Sequence, residues 1–358
     1  MARVYNFCAG PATLPEEVLA EAQGELLDYQ GTGMSIIESS HRGKAYAAVH
    51  EEAVSNYRQL LNLSDDYAVL FIAGGASLQF AMLAMNLLSP GRTAEYTNTG
   101  AWASKAIAQA QLAGDVKVVA DVSGEKPARM PDLANLGFGA DAAYAHITSN
   151  ETIAGTQWKQ FPDSVVPLVA DMSSDILSRP FDASRFGLIY AGAQKNLGPS
   201  GIALVVLRKD LAERAPDTLP AMLRYATYIE KDSLYNTPPT FSIYLMMLFT
   251  RWTLRTGLDA LHERNVQKAA RLYAAIDGTE FYRGTAAPEY RSDMNVTFRL
   301  PNEALEAAFV AEAESEGFSG LQGHRSVGGL RASIYNAFPA AGVDALVAFM
   351  AEFERRHG

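Results

Sequence analysis

A lysine just past one apolar strand, with a carboxylate just past the strand before it, can handle a carbonyl compound and the proton beside that carbonyl. The lysine is Lys195, in the run Ala191-Gly192-Ala193-Gln194-Lys195-Asn196-Leu197-Gly198-Pro199-Ser200-Gly201. At a strand end it points into the ligand crevice, where desolvation depresses its pKa and leaves the amine able to form a Schiff base. Taken alone, a strand-end lysine is more often a solvated surface charge. The carboxylate is Asp171, which closes Val165-Val166-Pro167-Leu168-Val169-Ala170. It suits the pyridine nitrogen of a pyridoxal cofactor, whose protonated ring acts as an electron sink. Its plainer reading is a helix N-cap ahead of Met172-Ser173-Ser174-Asp175. A third element, Gly74-Gly75-Ala76-Ser77, lies between a strand and a helix, where free N–H groups and the helix dipole cradle a phosphate. Neither the dinucleotide glycine pattern nor a Walker lysine accompanies it, so nicotinamide and nucleotide-triphosphate readings lose their support.

These groups need a scaffold that collects strand ends on one side. Seven strand-like runs, Tyr67–Ala73, Arg92–Tyr96, Val116–Ala120, Ala142–Thr148, Val165–Ala170, Leu188–Ala191 and Ile202–Leu207, are interleaved with helical patterns at Ser77–Leu88 and Ala101–Leu112. The alternation predicts an α/β fold with a mainly parallel seven-stranded sheet covered by helices, and such sheets bind ligands at the strands' carboxyl ends. After Asn236-Thr237-Pro238-Pro239 a helical region runs to about Ile276. Strand Met294–Leu300, helix Asn302–Glu316, strand Leu330–Ile334 and helix Val343–Arg356 then suggest a smaller C-terminal α/β domain. The expected division is an N-terminal segment, 1–15, packing with the small domain, a large domain over 16–256, and the small domain over 257–358, with the hinge near Gly257.

Composition removes other classes of function. The chain has 358 residues, 48% of them apolar, with a formal charge of −10 and a pI near 5.2. That balance opposes a general affinity for nucleic acid or anionic membrane, so an anionic ligand must be held by a few local cations and N–H groups. Val69–Gly91 carries no charge, yet Gly74 and Gly75 interrupt it, and it reads as a strand followed by a helix. The single Cys8 allows no internal disulfide and no cysteine-based zinc site, and no metal is expected. With no secretory leader evident, the cytoplasm is the expected compartment.

Together these runs resemble the phosphoserine aminotransferase family of fold-type I pyridoxal enzymes, along essentially the whole chain. The resemblance rests on Asn6-Phe7 with Gly10-Pro11-Ala12, Ser40-His41-Arg42-Gly43-Lys44, Gly74 to Phe80, Asn98-Thr99-Gly100-Ala101-Trp102 and Ser149-Asn150-Glu151-Thr152-Ile153. Asp171-Met172-Ser173-Ser174, Gln194-Lys195-Asn196, Asn236-Thr237-Pro238-Pro239 and Gly323 to Ala337 extend it. It implies pyridoxal 5′-phosphate held by Lys195, with Trp102 stacked on the ring, Thr152 on the ring hydroxyl and Asp171 on the pyridine nitrogen. Ala76, Ser77 and Gln194 would hold the phosphate, joined by Asn236 and Thr237 from the neighbouring subunit of a homodimer. Arg331 would take the substrate α-carboxylate, and His324 and Arg325, with His41 and Arg42 of the partner subunit, the side-chain phosphate.

The implied reaction is a two-stage transamination between phosphoserine and 2-oxoglutarate, or the reverse from glutamate, with Lys195 moving the proton between substrate and cofactor carbons. It serves serine biosynthesis, and phosphohydroxythreonine of vitamin B6 synthesis is a related substrate. Ser77 stands where some members carry arginine and Ala9 where some carry serine, which shifts the anion's load onto the His-Arg pairs. An alanine-glyoxylate-type aminotransferase, a cysteine desulfurase and a non-catalytic pyridoxal carrier are the rivals. Cys8, within an N-terminal segment, is a poor desulfurase nucleophile.

Overall fold

The computed structural model describes residues 3–358, so Met1 and Ala2 of the N-terminal segment lie outside the described residues. In chain order, β1 (Tyr5–Asn6), α1 (Glu16–Gly24) and α2 (Lys44–Leu60) precede β2 (Tyr67–Ala73), α3 (Gly75–Leu87), β3 (Ala94–Asn98), α4 (Ala101–Ala110) and β4 (Val116–Asp121). Next come β5 (Tyr144–Thr148), a hairpin of β6 (Asn150–Glu151) and β7 (Thr156–Gln157), then β8 (Leu168–Asp171), β9 (Phe186–Gly192) and β10 (Ile202–Arg208). Helices α5 (Tyr225–Glu230), α6 (Thr240–Thr256) and α7 (Leu258–Asp277) lead to β11 (Arg283–Gly284), β12 (Asn295–Arg299), α8 (Glu303–Ser315), β13 (Phe318–Ser319), β14 (Leu330–Ser333) and α9 (Ala340–His357).

Seven strands form one sheet in the order β2-β10-β9-β8-β5-β3-β4, parallel except for β10, which runs antiparallel to both its neighbours. The alternation of side chains along β2 shows why these strands read as unbroken apolar runs. Tyr67, Val69 and Phe71 enter one core layer, while Ala68, Leu70 and Ile72 enter the layer on the opposite face. Parallel edge strand β4, whose Lys117 is exposed, departs from that pattern, as an unpaired edge favours charge. The order places β8 between β5 and β9, so Asp171 pairs with Thr148 on one side and Tyr190 on the other.

Helix α3 starts two residues earlier than the pattern predicts. Gly74 takes a left-handed conformation (φ 106°) and turns the chain at once, so Ala76 and Ser77 fall in the first helical turn and not before it. A Cβ at Gly74 would lie 2.9 Å from the Leu78 side chain, which restricts this turn to glycine. The helical region ending near Ile276 is two helices, since Gly257 (φ 82°) breaks it between Thr256 and Leu258. Leu261 of α7 packs in the core of the large sheet, while Ala269, Leu272 and Ile276 of the same helix pack with β12, β14 and α9.

The N-terminal residues tie this second core to the sheet. β1 pairs with β13, Phe7 is fully buried in the second core, and the Ala12 N–H donates to the Gln194 carbonyl at 2.8 Å. Lys268 of α7, 2% exposed, fixes the chain after β14 by donating to the carbonyls of Ile334 (2.8 Å), Tyr335 (2.7 Å) and Phe338 (3.2 Å). Lys268→Met keeps the bulk but leaves three enclosed carbonyls without a donor, at about 1–3 kcal/mol each. Urea unfolding should therefore show a loss of at least about 2 kcal/mol, and an unchanged midpoint would contradict the role given to these bonds.

Candidate active site

Lys195 lies three residues past β9, in a tight turn closed by the N–H groups of Leu197 (3.1 Å) and Gly198 (2.9 Å), both donating to the Ala193 carbonyl. Its Nζ donates to Ser174 Oγ (2.8 Å) and Thr152 Oγ1 (3.0 Å), and those two buried hydroxyls are 2.6 Å apart. It also lies 5.3 Å from the centre of the Trp102 ring. Burial pulls the Lys195 amine below the usual lysine range, and the nearby Asp171 and Glu151 carboxylates oppose that shift. The result is a nucleophilic amine held by two neutral oxygens.

Asp171, the last residue of β8, is 5% exposed. Its Oδ1 accepts from the Ser173 N–H (2.9 Å) and Oγ (2.6 Å), and Ser173 Oγ in turn accepts from the Gly192 N–H (3.0 Å). Among the described residues no hydrogen bond reaches Oδ2, which leaves one carboxylate oxygen for a ligand. Burial raises the pKa of this carboxyl, while the Lys195 charge and the Ser173 bonds lower it. A cationic ring nitrogen at Oδ2 would favour the carboxylate further.

The remaining groups meet on the same side of the sheet. The first turn of α3 has no side-chain cap, so its N–H groups are open to an anion. A Cβ built on Gly192 would lie 3.0 Å from Gln194 Oε1 and 3.5 Å from Ala76 Cβ, which brings the Lys195 turn up to the start of α3. Gln194 Oε1 and Trp102 Nε1 are both enclosed without a partner. An unpaired indole N–H beside an open helix N-terminus, a free carboxylate oxygen and a buried amine fit pyridoxal phosphate as a group.

On the substrate side, Arg331 of β14 is half-buried and its Nε has no partner. His324 Nδ1 lies 2.7 Å from Ser326 Oγ, and burial, then the charges of Arg331, Lys105 and Arg325, hold its pKa below the ordinary histidine value. Four cationic or potentially cationic groups thus share one mouth, a setting for an anion in a chain that is acidic as a whole. Ala9 contributes only its carbonyl, which accepts from the Tyr335 hydroxyl at 2.8 Å, and Ser77 is exposed.

His41, Arg42, Asn236 and Thr237 are placed differently. Arg42, Asn236 and Thr237 are exposed, His41 Nε2 is enclosed yet unpartnered, and no hydrogen bond or ion pair among the described residues joins the four to the Lys195 group. Ser173, Ser174 and Glu151 received no role from the sequence although they lie within its motifs. Their signal was the density of hydroxyl and acidic residues in Ser149–Thr152 and Asp171–Asp175, which exceeds what a helix cap needs. An open groove of about 730 Å³ near Phe161 is not a rival site. Its Arg179 is committed to the Trp158 and Lys159 carbonyls, and its Arg185 to Asp163 and two further carbonyls. No metal-binding group of His, Cys, Asp or Glu side chains occurs among the described residues, and none of their helices is long and apolar enough to cross a membrane.

Residues 4–346 match the family model described as aminotransferase class-V. The chain is 57% identical over 358 residues to the phosphoserine aminotransferase of Geobacillus kaustophilus, covering 99% of each. The solved phosphoserine aminotransferase of Bacillus circulans subsp. alkalophilus superposes with a TM-score of 0.96 at 55% identity, covering 99% of each chain. A structure reporting radiation damage of the Schiff base in phosphoserine aminotransferase superposes at 0.97 with 48% identity, covering 99% of this chain and all of that one.

Proposed function

Because this chain belongs to the class-V aminotransferases, and among them to the phosphoserine aminotransferases, we propose that Lys195 carries its pyridoxal phosphate and moves the proton of the reaction. The enzyme is a pyridoxal-phosphate-dependent transaminase, exchanging the amino group between O-phospho-L-serine and 2-oxoglutarate, with 3-phosphohydroxypyruvate and glutamate as the counterparts. The observation that carries the residue assignment is the Lys195 amine held 2.8 and 3.0 Å from two hydroxyls, with Asp171 at the end of the adjacent strand presenting a free oxygen.

Asp171 Oδ2 would hold the pyridine nitrogen, Trp102 would lie against the ring and Thr152 would serve the ring hydroxyl. The N–H groups of the first turn of α3 at Ala76 and Ser77, with Gln194, would hold the phosphate. Bound there, pyridoxal phosphate supplies a ring that takes up the negative charge left when a proton leaves the substrate Cα. Lys195 Nζ would take that proton from the substrate Cα and carry it to the cofactor carbon on the other side of the amino nitrogen, and Thr152 and Ser174 would keep the amine within reach. Arg331 orients the α-carboxylate, its planar fork matching the two oxygens, and His324 and Arg325 face the distal anion.

A second copy of the chain completes this pocket in our reading. The partner subunit's Asn236 and Thr237 would reach the cofactor phosphate, and the partner subunit's His41 and Arg42 the substrate phosphate. What supports it is the exposure of Arg42, Asn236 and Thr237, with the exposed apolar Tyr235 (47% exposed) next to Asn236 and Ile37 (53%) four residues before His41. Residues 257–358 with the N-terminal segment would form the unit that carries Arg331, against a cofactor unit of 16–256, and a cytoplasmic setting suits the single cysteine.

Titrating the cofactor-loaded enzyme with phosphoserine, aspartate and alanine, and following absorbance as the pyridoxamine form accumulates, tests the substrate assignment. Phosphoserine should react at the lowest concentration, whereas a preference for aspartate or alanine would defeat the phosphate pocket. Arg331→Ala should lower kcat/KM by about 10²-fold for phosphoserine and glutamate alike, since both present the α-carboxylate. Arg325→Ala should penalise phosphoserine more than alanine.

A further inference from the structure

Glu151 lies beside the site without touching the reacting groups described so far. Its side chain is fully buried, and its hydrogen-bond partners among the described residues are all neutral. The carboxylate accepts from the backbone N–H groups of Ala103 (3.0 Å) and Trp102 (3.3 Å) and from Thr99 Oγ1 (3.4 Å). Those N–H groups belong to the first turn of α4, and the residue before that helix, Gly100, has no side chain to cap it. Ordinarily a serine or aspartate at that position would do so locally. Here the cap comes from β6, about fifty residues further along the chain.

The neighbours are shaped around this arrangement. A Cβ at position 100 would lie 2.8 Å from Glu151 Cδ and 2.9 Å from Oε2, so a local cap and the Glu151 carboxyl exclude each other. The next residue after Glu151 is Thr152, which bonds Lys195, and the second residue of the capped helix is Trp102. Glu151 therefore joins the backbone under the aromatic ring to the strand end that positions the lysine. Holding a carboxyl there is costly: burial raises its pKa to about 7, the nearby Asp171 charge adds to the rise, and the two backbone bonds and Lys195 oppose it. A helix cap needs no such group.

We propose that Glu151 is a positioning residue which sets where the Trp102 ring lies against the cofactor, acting through α4 and not on the substrate. The inference rests on the assignment of Trp102 given above, and the experiment separates the two. In the holoenzyme, E151A should weaken cofactor binding about 10-fold, the equivalent of one lost cap. Cofactor affinity is read from the visible absorbance and from quenching of tryptophan fluorescence. Its kcat should fall by a similar factor while the KM for phosphoserine holds. E151Q keeps one oxygen for the Ala103 N–H and Thr99 Oγ1 but turns an NH₂ toward the Trp102 N–H, so it should fall between wild type and E151A. G100A, which crowds the carboxyl from the other side, should reproduce E151A, and keeps the test open if E151A does not fold.

In a W102A background, which removes the ring, E151A should add nothing further. A double variant that loses the full product of the two single factors would overturn the inference while leaving the Trp102 assignment standing. Unchanged cofactor affinity in W102A would overturn both, and wild-type affinity in both E151A and G100A would overturn the inference alone.

Discussion

Lys195→Ala is expected to leave a folded protein that binds pyridoxal phosphate weakly and has lost transamination by at least about 10⁴-fold, the upper end of what a positioned proton-transfer group contributes. The fold should survive because the turn around Lys195 is held by backbone bonds to the Ala193 carbonyl and by Asn196 Nδ2, which donates to the Ser174 carbonyl at 3.0 Å. None of these involves the amine. Removing it also relieves the burial that pulls its pKa down, so the cofactor-free variant should melt no lower than wild type. Thr152 and Ser174 would keep each other as partners at 2.6 Å and need no new one. Activity is measured as conversion of phosphoserine under single turnover, with the melting temperature taken in parallel. Turnover within 100-fold of wild type would remove Lys195 from the centre of the mechanism.

How far the sequence could be read is clearest where single elements succeed or fail. Tyr67–Ala73 coincides with β2 residue for residue because seven uninterrupted apolar positions, bounded by Asp66 and Gly74, leave no alternative to a strand covered on both faces. The start of α3 is displaced because two glycines read as a turn, whereas Gly74 alone turns the chain and Gly75 already opens the helix. Strands of two residues, such as β6, β7 and β13, have no periodicity to detect. The reversed direction of β10 is likewise a property of the pairing and not of the apolar run Ile202–Leu207.

The candidate site divides in the same way. Lys195 and Asp171 stand out in the sequence because one follows a strand closely and the other ends one, a one-dimensional feature with a three-dimensional consequence. The partners that tune them do not, since Lys195 meets Ser174 and Thr152 across 21 and 43 residues of chain. Glu151 meets Trp102 across 49 residues. Such contacts follow from the strand order β9-β8-β5-β3, which brings four loops together only once the sheet has formed.

Asp171→Asn tests the other half of the site, and the geometry makes the substitution selective. Oδ1 is already occupied by the N–H and Oγ of Ser173, so the asparagine oxygen would take that position and the amide NH₂ would replace Oδ2. A donor would then face the place of the pyridine nitrogen, where a protonated ring also presents a donor. The ring nitrogen must give up its proton or its bond, and in either state it withdraws charge from Cα less well. The expected result is a fall in kcat of about 10²–10³-fold, the size associated with losing one electrostatic group at a developing charge, with KM for phosphoserine changed little. Stability should rise, because burial pushes the Asp171 carboxyl up and an uncharged amide of the same shape avoids that cost. A variant both more stable and slower would mark Asp171 as a charge kept for chemistry against the preference of the fold. A variant as fast as wild type would mean that the free oxygen at the end of β8 serves the cofactor in no electrostatic way, and the ring would have to find its counter-charge elsewhere. The other buried carboxylates acting on Lys195 among the described residues are Glu151, whose oxygens are occupied by Ala103, Trp102 and Thr99, and Asp175, whose oxygens are occupied by Ser149 and Gln157. The buried acids are thus not interchangeable: Asp171 has an oxygen to offer a ligand and the others have none.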